Sequence, residues 1–380
     1  MHASILLALL PTALAAPLII PRDSALVPGK FIVKFNQGAS SEQIEEAKSL
    51  LASSPDHEYN FGGFEGFAGS ISSSTVSKLQ ALDAIEYIQQ DAQVHTQELL
   101  TESGAPWGLG RISNVAPGNT TYVYDSTAGE GTCSYIIDTG IFVDHPEFEG
   151  RATWLENFTD DGNDSDGNGH GTHVAGTVGS ATYGVAKKTK LYAVKVLDAG
   201  GSGTFSGVIA GINYAATDSQ TRDCPKGSVA NMSLGGSKNT AVNSAVAAAV
   251  EAGLFFAVAA GNNGDDAANY SPASEPSACT VGATDSSDTV ASFSNIGSLV
   301  DIFAPGVQVL STWNDGNTNT ISGTSMASPH ITGLGAYLLS YESIPTADLC
   351  GRIVELSQKG KITGLPSGTV NDLAFNGATA

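Results

Sequence analysis

Three short segments of this chain carry residues that can do acyl-transfer chemistry. Ile137-Asp138-Thr139-Gly140 holds an acid, Gly169-His170-Gly171-Thr172-His173-Val174-Ala175-Gly176 a base, and Gly323-Thr324-Ser325-Met326-Ala327-Ser328-Pro329 a hydroxyl. A serine hydroxyl is a weak nucleophile at neutral pH. It becomes reactive when an imidazole takes its proton and a carboxylate fixes that imidazole in one tautomer. Asp138, His170 and Ser325 are the candidates for these roles. A fourth candidate is Asn262, in Ala259-Ala260-Gly261-Asn262-Asn263-Gly264. Its amide, with the Ser325 backbone N–H, would meet a developing oxyanion.

Each of these residues also has a plainer reading. Ser325 could be an ordinary helix-capping serine. Asp138 could merely cap the turn at Thr139 and Gly140, and Asp144 is a weaker rival that lacks the strand-to-turn setting. His173, one helical turn beyond His170, competes as the base, and a His-x-x-His pair can bind metal. No glutamate stands between the pair, which counts against the metal. Asn262 could be a turn asparagine, although Asn263-Gly264 fills that need by itself.

The elements that must position these groups follow from the apolar pattern. Ser134 to Ile137, Leu191 to Leu197, Val229 to Leu234 and Leu254 to Ala259 read as strands, with Ala- and Val-rich helices between them. Such alternation predicts a parallel sheet with helices on both faces. Asp138 and Asn262 both follow strands, so they fall on the carboxyl edge, where sites form in such sheets. Met326 to Leu339 reads as a helix that follows Ser325, with Pro329 in its first turn. Its N-terminus would favour negative charge near Ser325.

Ahead of this part lies a smaller block, about Leu18 to Glu98. Lys30 to Phe35 alternates as a half-buried strand, and Ser40 with Gln43 predicts a capping box opening a helix to Leu51. Gly66 to Ile71 and Ala84 to Ile88 read as strands, Thr75 to Leu82 as a helix, and Tyr59 marks a weaker strand. The order is β-α-β-β-α-β. Before it, Ile5 to Leu10 and Ala13 to Ala16 read as a signal peptide, far shorter than the roughly 20 apolar residues that span a bilayer. The expected domains are therefore 1–16 (signal), 17–99 (small α+β unit) and 100–380 (α/β unit). A secreted protein without a membrane anchor is expected.

Composition narrows the partners. The 380 residues carry 17 Lys+Arg against 38 Asp+Glu, a formal charge of −21, so nucleic acid is not an expected partner. The four cysteines, Cys133, Cys224, Cys279 and Cys350, lack metal-ligand spacing. Behind a signal peptide they favour disulfides, and three pairings are open. Five acids between Glu156 and Asp166 do not fit a calcium-loop pattern and read as a solvated loop. Sequons at Asn119, Asn157 and Asn163 sit in surface loops. Asn231 and Asn269 also match, but Asn231 lies in a core strand.

The three boxes, with the order Asp, His, Ser, resemble those of the subtilisin-family serine proteases, and within them the proteinase K-like fungal branch. The likeness runs from about Ala105 to Phe375. It implies an α/β subtilisin-like fold and a broad-specificity serine endopeptidase working through an acyl-enzyme, with His170 rather than His173 as base. The small unit resembles the inhibitory propeptide of that family, and processing falls near Leu99 or Leu100. The resemblance implies the pairings Cys133–Cys224 and Cys279–Cys350, and it places Val174 where that branch has a free cysteine. Gly201-Ser202-Gly203 and Ser233-Leu234-Gly235 are the implied edges for an extended peptide. Ala259, Ala260 and Gly261 would wall a wide apolar pocket. Phe205 would lid a more distant one, unless it is ordinary core. One structural calcium site is implied at Pro276, Ala278 and Asp301. A second is not expected, because Lys361 replaces its acid, and no catalytic cofactor is expected. A monomer is the expected state. The competing class is a non-catalytic secreted protein of the same fold that binds peptides or inhibits proteases.

Overall fold

The computed structural model describes residues 15–21, 26–92, 98–342 and 344–378. The expected signal segment, apart from its last two residues, and positions 95–97 of the expected processing region lie outside these. The chain forms two compact units, residues 1–96 and 97–380.

The first unit runs β1 (Leu18–Ile19), β2 (Leu26–Phe35), α1 (Ser41–Ser49), β3 (His57–Phe61), β4 (Phe64–Ser70), α2 (Ser73–Gln80) and β5 (Ile85–Ala92). The β-α-β-β-α-β order is present from β2 onward, and the weak strand at Tyr59 is β3. The sheet order is β1-β5-β2-β4-β3. Ser40 and Gln43 form the capping box: the Ser40 hydroxyl accepts from the Gln43 N–H, and the Gln43 side chain accepts from the Ser40 N–H. α1 stops at Ser49, two residues short of expectation. Val33, Phe35, Phe67, Leu79 and Ile88 fill the core between sheet and helices. Ala16 is buried with them, its N–H bonded to the Gln80 carbonyl.

The second unit opens with β6 (Leu99–Ser103), α3 (Trp107–Ser113), β7 (Thr121–Asp125), β8 (Cys133–Asp138), β9 (Ala152–Asn157), α4 (His170–Gly179) and β10 (Lys190–Lys195). It continues with α5 (Phe205–Ser219), β11 (Ser228–Met232), β12 (Gly236–Ser237), α6 (Thr240–Glu251), β13 (Phe255–Ala259) and β14 (Tyr270–Ser271). The last elements are β15 (Cys279–Thr284), β16 (Ile302–Pro305), β17 (Val309–Thr312), β18 (Thr318–Ile321), α7 (Thr324–Tyr341), α8 (Leu349–Leu356), β19 (Gln358–Lys359) and β20 (Asp372–Leu373).

The main sheet has the order β19-β20-β16-β15-β13-β11-β8-β10-β9. All its pairs are parallel except β19 with β20. Alternate side chains of each strand serve opposite faces. Val229, Phe255 and Ala257 pack with Ala327, Ile331 and Leu334 of α7. Ala230, Met232, Phe256 and Val258 pack with Val208, Ile212 and Val246 of α5 and α6. Burial on both faces explains the near-continuous apolar strands. The chain leaves β8 for β9 and β10 on one side, then crosses to β11 and β13 on the other. Its carboxyl edge at β8 and β11 is therefore a topological switch point, where a crevice opens.

Two strands end earlier than their apolar runs. β10 stops at Lys195 because Val196 and Leu197 turn their N–H groups to the Asp138 carbonyl. β11 stops at Met232, and Ser233 to Gly235 leave the sheet to edge the crevice. Disulfides join Cys133 to Cys224 and Cys279 to Cys350, with Cα–Cα distances of 5.7 and 5.5 Å.

Candidate active site

Asp138 closes β8 with its side chain fully buried. Its Oδ1 lies 2.7 Å from His170 Nδ1 and accepts the Thr139 N–H at 2.7 Å. A buried carboxylate on Nδ1 fixes the tautomer, so Nδ1 carries the proton and Nε2 is left as the base. Burial disfavours charge on His170. The Asp138 charge and hydrogen bond, with a further contribution from Asp166, outweigh it and hold the imidazole above its usual pKa.

His170 is the first residue of α4, and Gly169 is its N-cap with φ of 107°. A side chain at Gly169 would also strike Trp313, whose ring lies 2.4 Å from the position of a Cβ. Asp166 ties this turn to the acid. It accepts from the Gly169 N–H at 2.8 Å, the Thr172 N–H at 2.9 Å, the Thr172 hydroxyl at 2.6 Å and the Thr139 hydroxyl at 2.8 Å. The acidic run is thus not uniformly solvated: Asp166 is buried as a capping acid. Asp161 also turns inward, lying 3.1 Å from Nζ of the fully buried Lys195. Asp160 and Asp164 do face solvent.

His173 is packed rather than placed in the crevice. Its Nε2 meets the Val309 carbonyl at 3.0 Å, its ring stands edge-on to Trp313, and burial pushes its pKa down to about 4. Asp144 is exposed, outside the crevice lining.

Ser325 lies inside α7, not before it, because the helix begins at Thr324. Pro329 is consequently the sixth helical residue rather than part of the first turn, which corrects the sequence expectation. The Ser325 hydroxyl donates to the Ser233 carbonyl at 3.2 Å. Asn262 is oriented by Thr324, whose N–H and hydroxyl both donate to Asn262 Oδ1, at 2.8 and 2.9 Å. That pairing assigns the amide: its oxygen is satisfied, and Nδ2 remains as a donor. The first-turn N–H groups of α7 have no acceptor within the helix. Thr324, which also accepts the Gly261 N–H at 3.1 Å, was not singled out from sequence.

The implied substrate residues line two adjoining clefts. One is bounded by His170, Gly201, Ser202, Gly203, Phe205 and Ser233. The other is walled by Ala259, Ala260, Gly261, Asn262, Tyr270 and Ser325. Leu234 and Gly235 border both. Phe205 is 42% exposed as the first residue of α5, so it is a cleft residue and not core. Tyr270 is a wall residue that sequence reading missed.

The remaining predicted positions are distributed as follows. Asn119 and Asn163 are exposed, whereas the Asn157 amide donates to the Asn163 carbonyl at 3.2 Å. Asn231 is fully buried. Asp301 accepts the Thr280 N–H at 2.8 Å, and burial pushes its carboxyl up to about 6. No cationic side chain pairs with Asp301 among the described residues. Ligand atoms of Cys279 and Cys350 lie within 4.8 Å of it, but both sulfurs are joined in their disulfide.

The subtilase family model matches residues 129–366, and the peptidase inhibitor I9 model matches residues 30–97. A cuticle-degrading protease of Metarhizium anisopliae is 53% identical over the whole of both chains. Proteinase T of Parengyodontium album is 60% identical over 77% of this chain and 99% of its own. A crystal structure of a cold adapted subtilisin-like serine proteinase matches with a TM-score of 0.69 and 47% identity, covering 73% of this chain and all of that one. With an I9 inhibitor match earlier in the sequence and a subtilase match over the unit that carries Asp138, His170, Asn262 and Ser325, the chain belongs to the subtilase family of serine endopeptidases.

Proposed function

We propose that the protein is a secreted, self-processing endopeptidase of broad specificity, with Ser325 as nucleophile, His170 as base then acid, Asp138 as its orienting carboxylate and Asn262 as oxyanion donor. The observation that carries this reading is the 2.7 Å contact of buried Asp138 with His170 Nδ1. It leaves Nε2 to take the Ser325 proton as the hydroxyl attacks the peptide carbonyl. The tetrahedral oxyanion is met by Asn262 Nδ2 and the Ser325 N–H. The proton on His170 then passes to the departing amine. Water attacks the acyl-enzyme by the same route in reverse.

Among the described residues, the pocket walled by Ala259 to Gly261 and Tyr270 has no carboxylate in its lining. It therefore supports aromatic or aliphatic residues before the cut rather than Lys or Arg. The N-terminal unit is its own inhibitor before removal, and the mature protein is a monomer. Asn119 and Asn163 are the sequons whose exposure suits glycosylation. Calcium is read as structural. Asp301 has a half-buried carboxylate with no cationic partner among the described residues, and with the carbonyls of Pro276 and Ala278 it would supply the oxygen ligands that suit a hard cation.

Expression of wild type beside Ser325→Ala tests the reading through chain size and casein hydrolysis. Wild type should lose about its first hundred residues and digest casein. Ser325→Ala should stay full length and lose about 10⁶ in turnover. Processing or hydrolysis that survives in Ser325→Ala would remove the nucleophile assignment.

A further inference from the structure

A proline inside a helix has no N–H, so the carbonyl four residues before it loses its helical donor. In α7 the proline is Pro329, and the orphaned carbonyl is that of Ser325. The donor comes from another element. Ser233 Oγ, one residue past β11 and 3% exposed, donates to the Ser325 carbonyl at 2.7 Å.

Ser233 is itself held. Its Oγ accepts from Asn231 Nδ2 at 2.8 Å. Asn231 is fully buried in β11, and its Oδ1 accepts from the Ser328 and Thr332 hydroxyls of α7, each at 2.9 Å. The donors run in one direction: helix hydroxyls to Asn231, Asn231 to Ser233, Ser233 to the Ser325 carbonyl. The Ser233 carbonyl in turn accepts the Ser325 hydroxyl at 3.2 Å. The carbonyl and the hydroxyl of Ser325 therefore end on one residue, the carbonyl on its side chain and the hydroxyl on its main chain. Burial also explains why the sequon at Asn231 has a structural use.

We propose that Ser233, oriented by Asn231, is a positioning residue for the nucleophile. Its hydroxyl does the work of the N–H that Pro329 lacks and sets the backbone of Ser325 within the first turn of α7. Released from it, the Ser325 carbonyl would turn toward another donor and carry Oγ away from the line of attack. A misplacement of about 1 Å can cost about a hundredfold in rate. The inference rests on Ser325 being the nucleophile.

A double-mutant cycle on the mature, self-processed enzyme tests it. Ser233→Ala should lower kcat between about tenfold and a hundredfold, with KM changed by less than about twofold. Its rate of inactivation by phenylmethanesulfonyl fluoride should fall in parallel. Pro329→Ala restores a backbone donor to the Ser325 carbonyl. In that background the added loss from Ser233→Ala should shrink to under about threefold, a non-additivity expected only of groups serving one acceptor. Equal losses in both backgrounds, or no loss from Ser233→Ala, would overturn the positioning role. If Ser233→Ala alone fails to fold, the double variant should still fold and cleave. An inert double variant would equally overturn the role. Ser325→Ala run alongside keeps the two readings apart, because its survival removes the nucleophile, whereas additivity removes only the Ser233 role.

Discussion

Both units carry exposed ion pairs, but among the described residues only the C-terminal unit buries any. In the N-terminal unit the ion pairs lie outside: Lys30 with Asp56, Lys34 with Glu86 and Lys48 with Glu58, each with a well-exposed acid. Such pairs contribute about 0–1 kcal/mol, and this unit closes on an apolar core without cysteines. In the C-terminal unit Arg111 meets Asp288 and Lys195 meets Asp161 with the cations fully or almost fully buried. Two disulfides are added there. Buried pairs have no solvent to replace a lost partner, so they punish partial opening. Opening is what exposes a chain to proteolysis. A protease that must outlast its own products gains from such wiring, and a unit destined for removal has no use for it.

The largest effect beyond loss of the proposed nucleophile is expected at Asp138, the buried carboxylate proposed to orient the base. Asp138→Asn should lower kcat about 10⁴-fold, because the amide permits the wrong imidazole tautomer. It also removes the charge that raises the His170 pKa. The base works only when neutral, so the acid limb of the kcat/KM profile should move to lower pH. The same variant would process slowly, and its N-terminal unit should remain attached on isolation. A pH profile that does not move would show that Asp138 does not face His170 in solution.

The contrast sharpens at Arg111, which performs no chemistry. Its guanidinium donates to Asp288 at 2.6 and 3.0 Å, to the Asn114 carbonyl at 2.7 Å and to Gln358 at 3.1 Å. Arg111→Met leaves the Asp288 carboxylate buried and unpaired, at a cost of about 3–5 kcal/mol. The sulfonyl-fluoride-blocked mature enzyme should show this as a faster thermal unfolding rate, with kcat of the unblocked enzyme little changed. A loss below about 1 kcal/mol would place Arg111 with the surface pairs of the first unit and dissolve the comparison.

Legibility in the sequence divides along the same line. Asp138, His170, Asn262 and Ser325 are readable because each sits in its own local box. The β-α-β-β-α-β unit and the four named strands are readable because burial on both faces leaves apolar runs. The buried charges are not. Lys195 stands in a run that reads as apolar strand, and its partner Asp161 stands in a run that reads as solvated. Neither sequence neighbourhood reveals that they meet. Asp166 left a faint signal, as an acid four positions before His170 with a helix opening between them. Pro329 was misplaced and Thr324 passed over for a common reason. The start of α7 is set by the Asn262 loop, which accepts the Thr324 N–H, and its proline is tolerated through Ser233. These partners lie far away in sequence, and local helix rules do not include them.

Asp301 provides the smallest test and the one most specific in sign. It is a half-buried acid in the C-terminal unit with no cation beside it among the described residues, the converse of Asp288. Burial raises its folded pKa to about 6, above an unfolded value near 3.9. Between those values the folded state holds a proton that the unfolded state has released. Without calcium, stability should therefore fall as pH rises from about 4 to 6, by roughly 2–3 kcal/mol in total. Calcium would take the place of that proton and flatten the slope. Asp301→Asn should show no such slope with or without chelator. Thermal unfolding of the blocked enzyme in chelator and in calcium, at pH 4.5 and 7, measures all three curves. A chelated wild type that is as stable at pH 7 as the calcium-loaded protein would remove the cation from Asp301 and leave its burial to be met by proton alone.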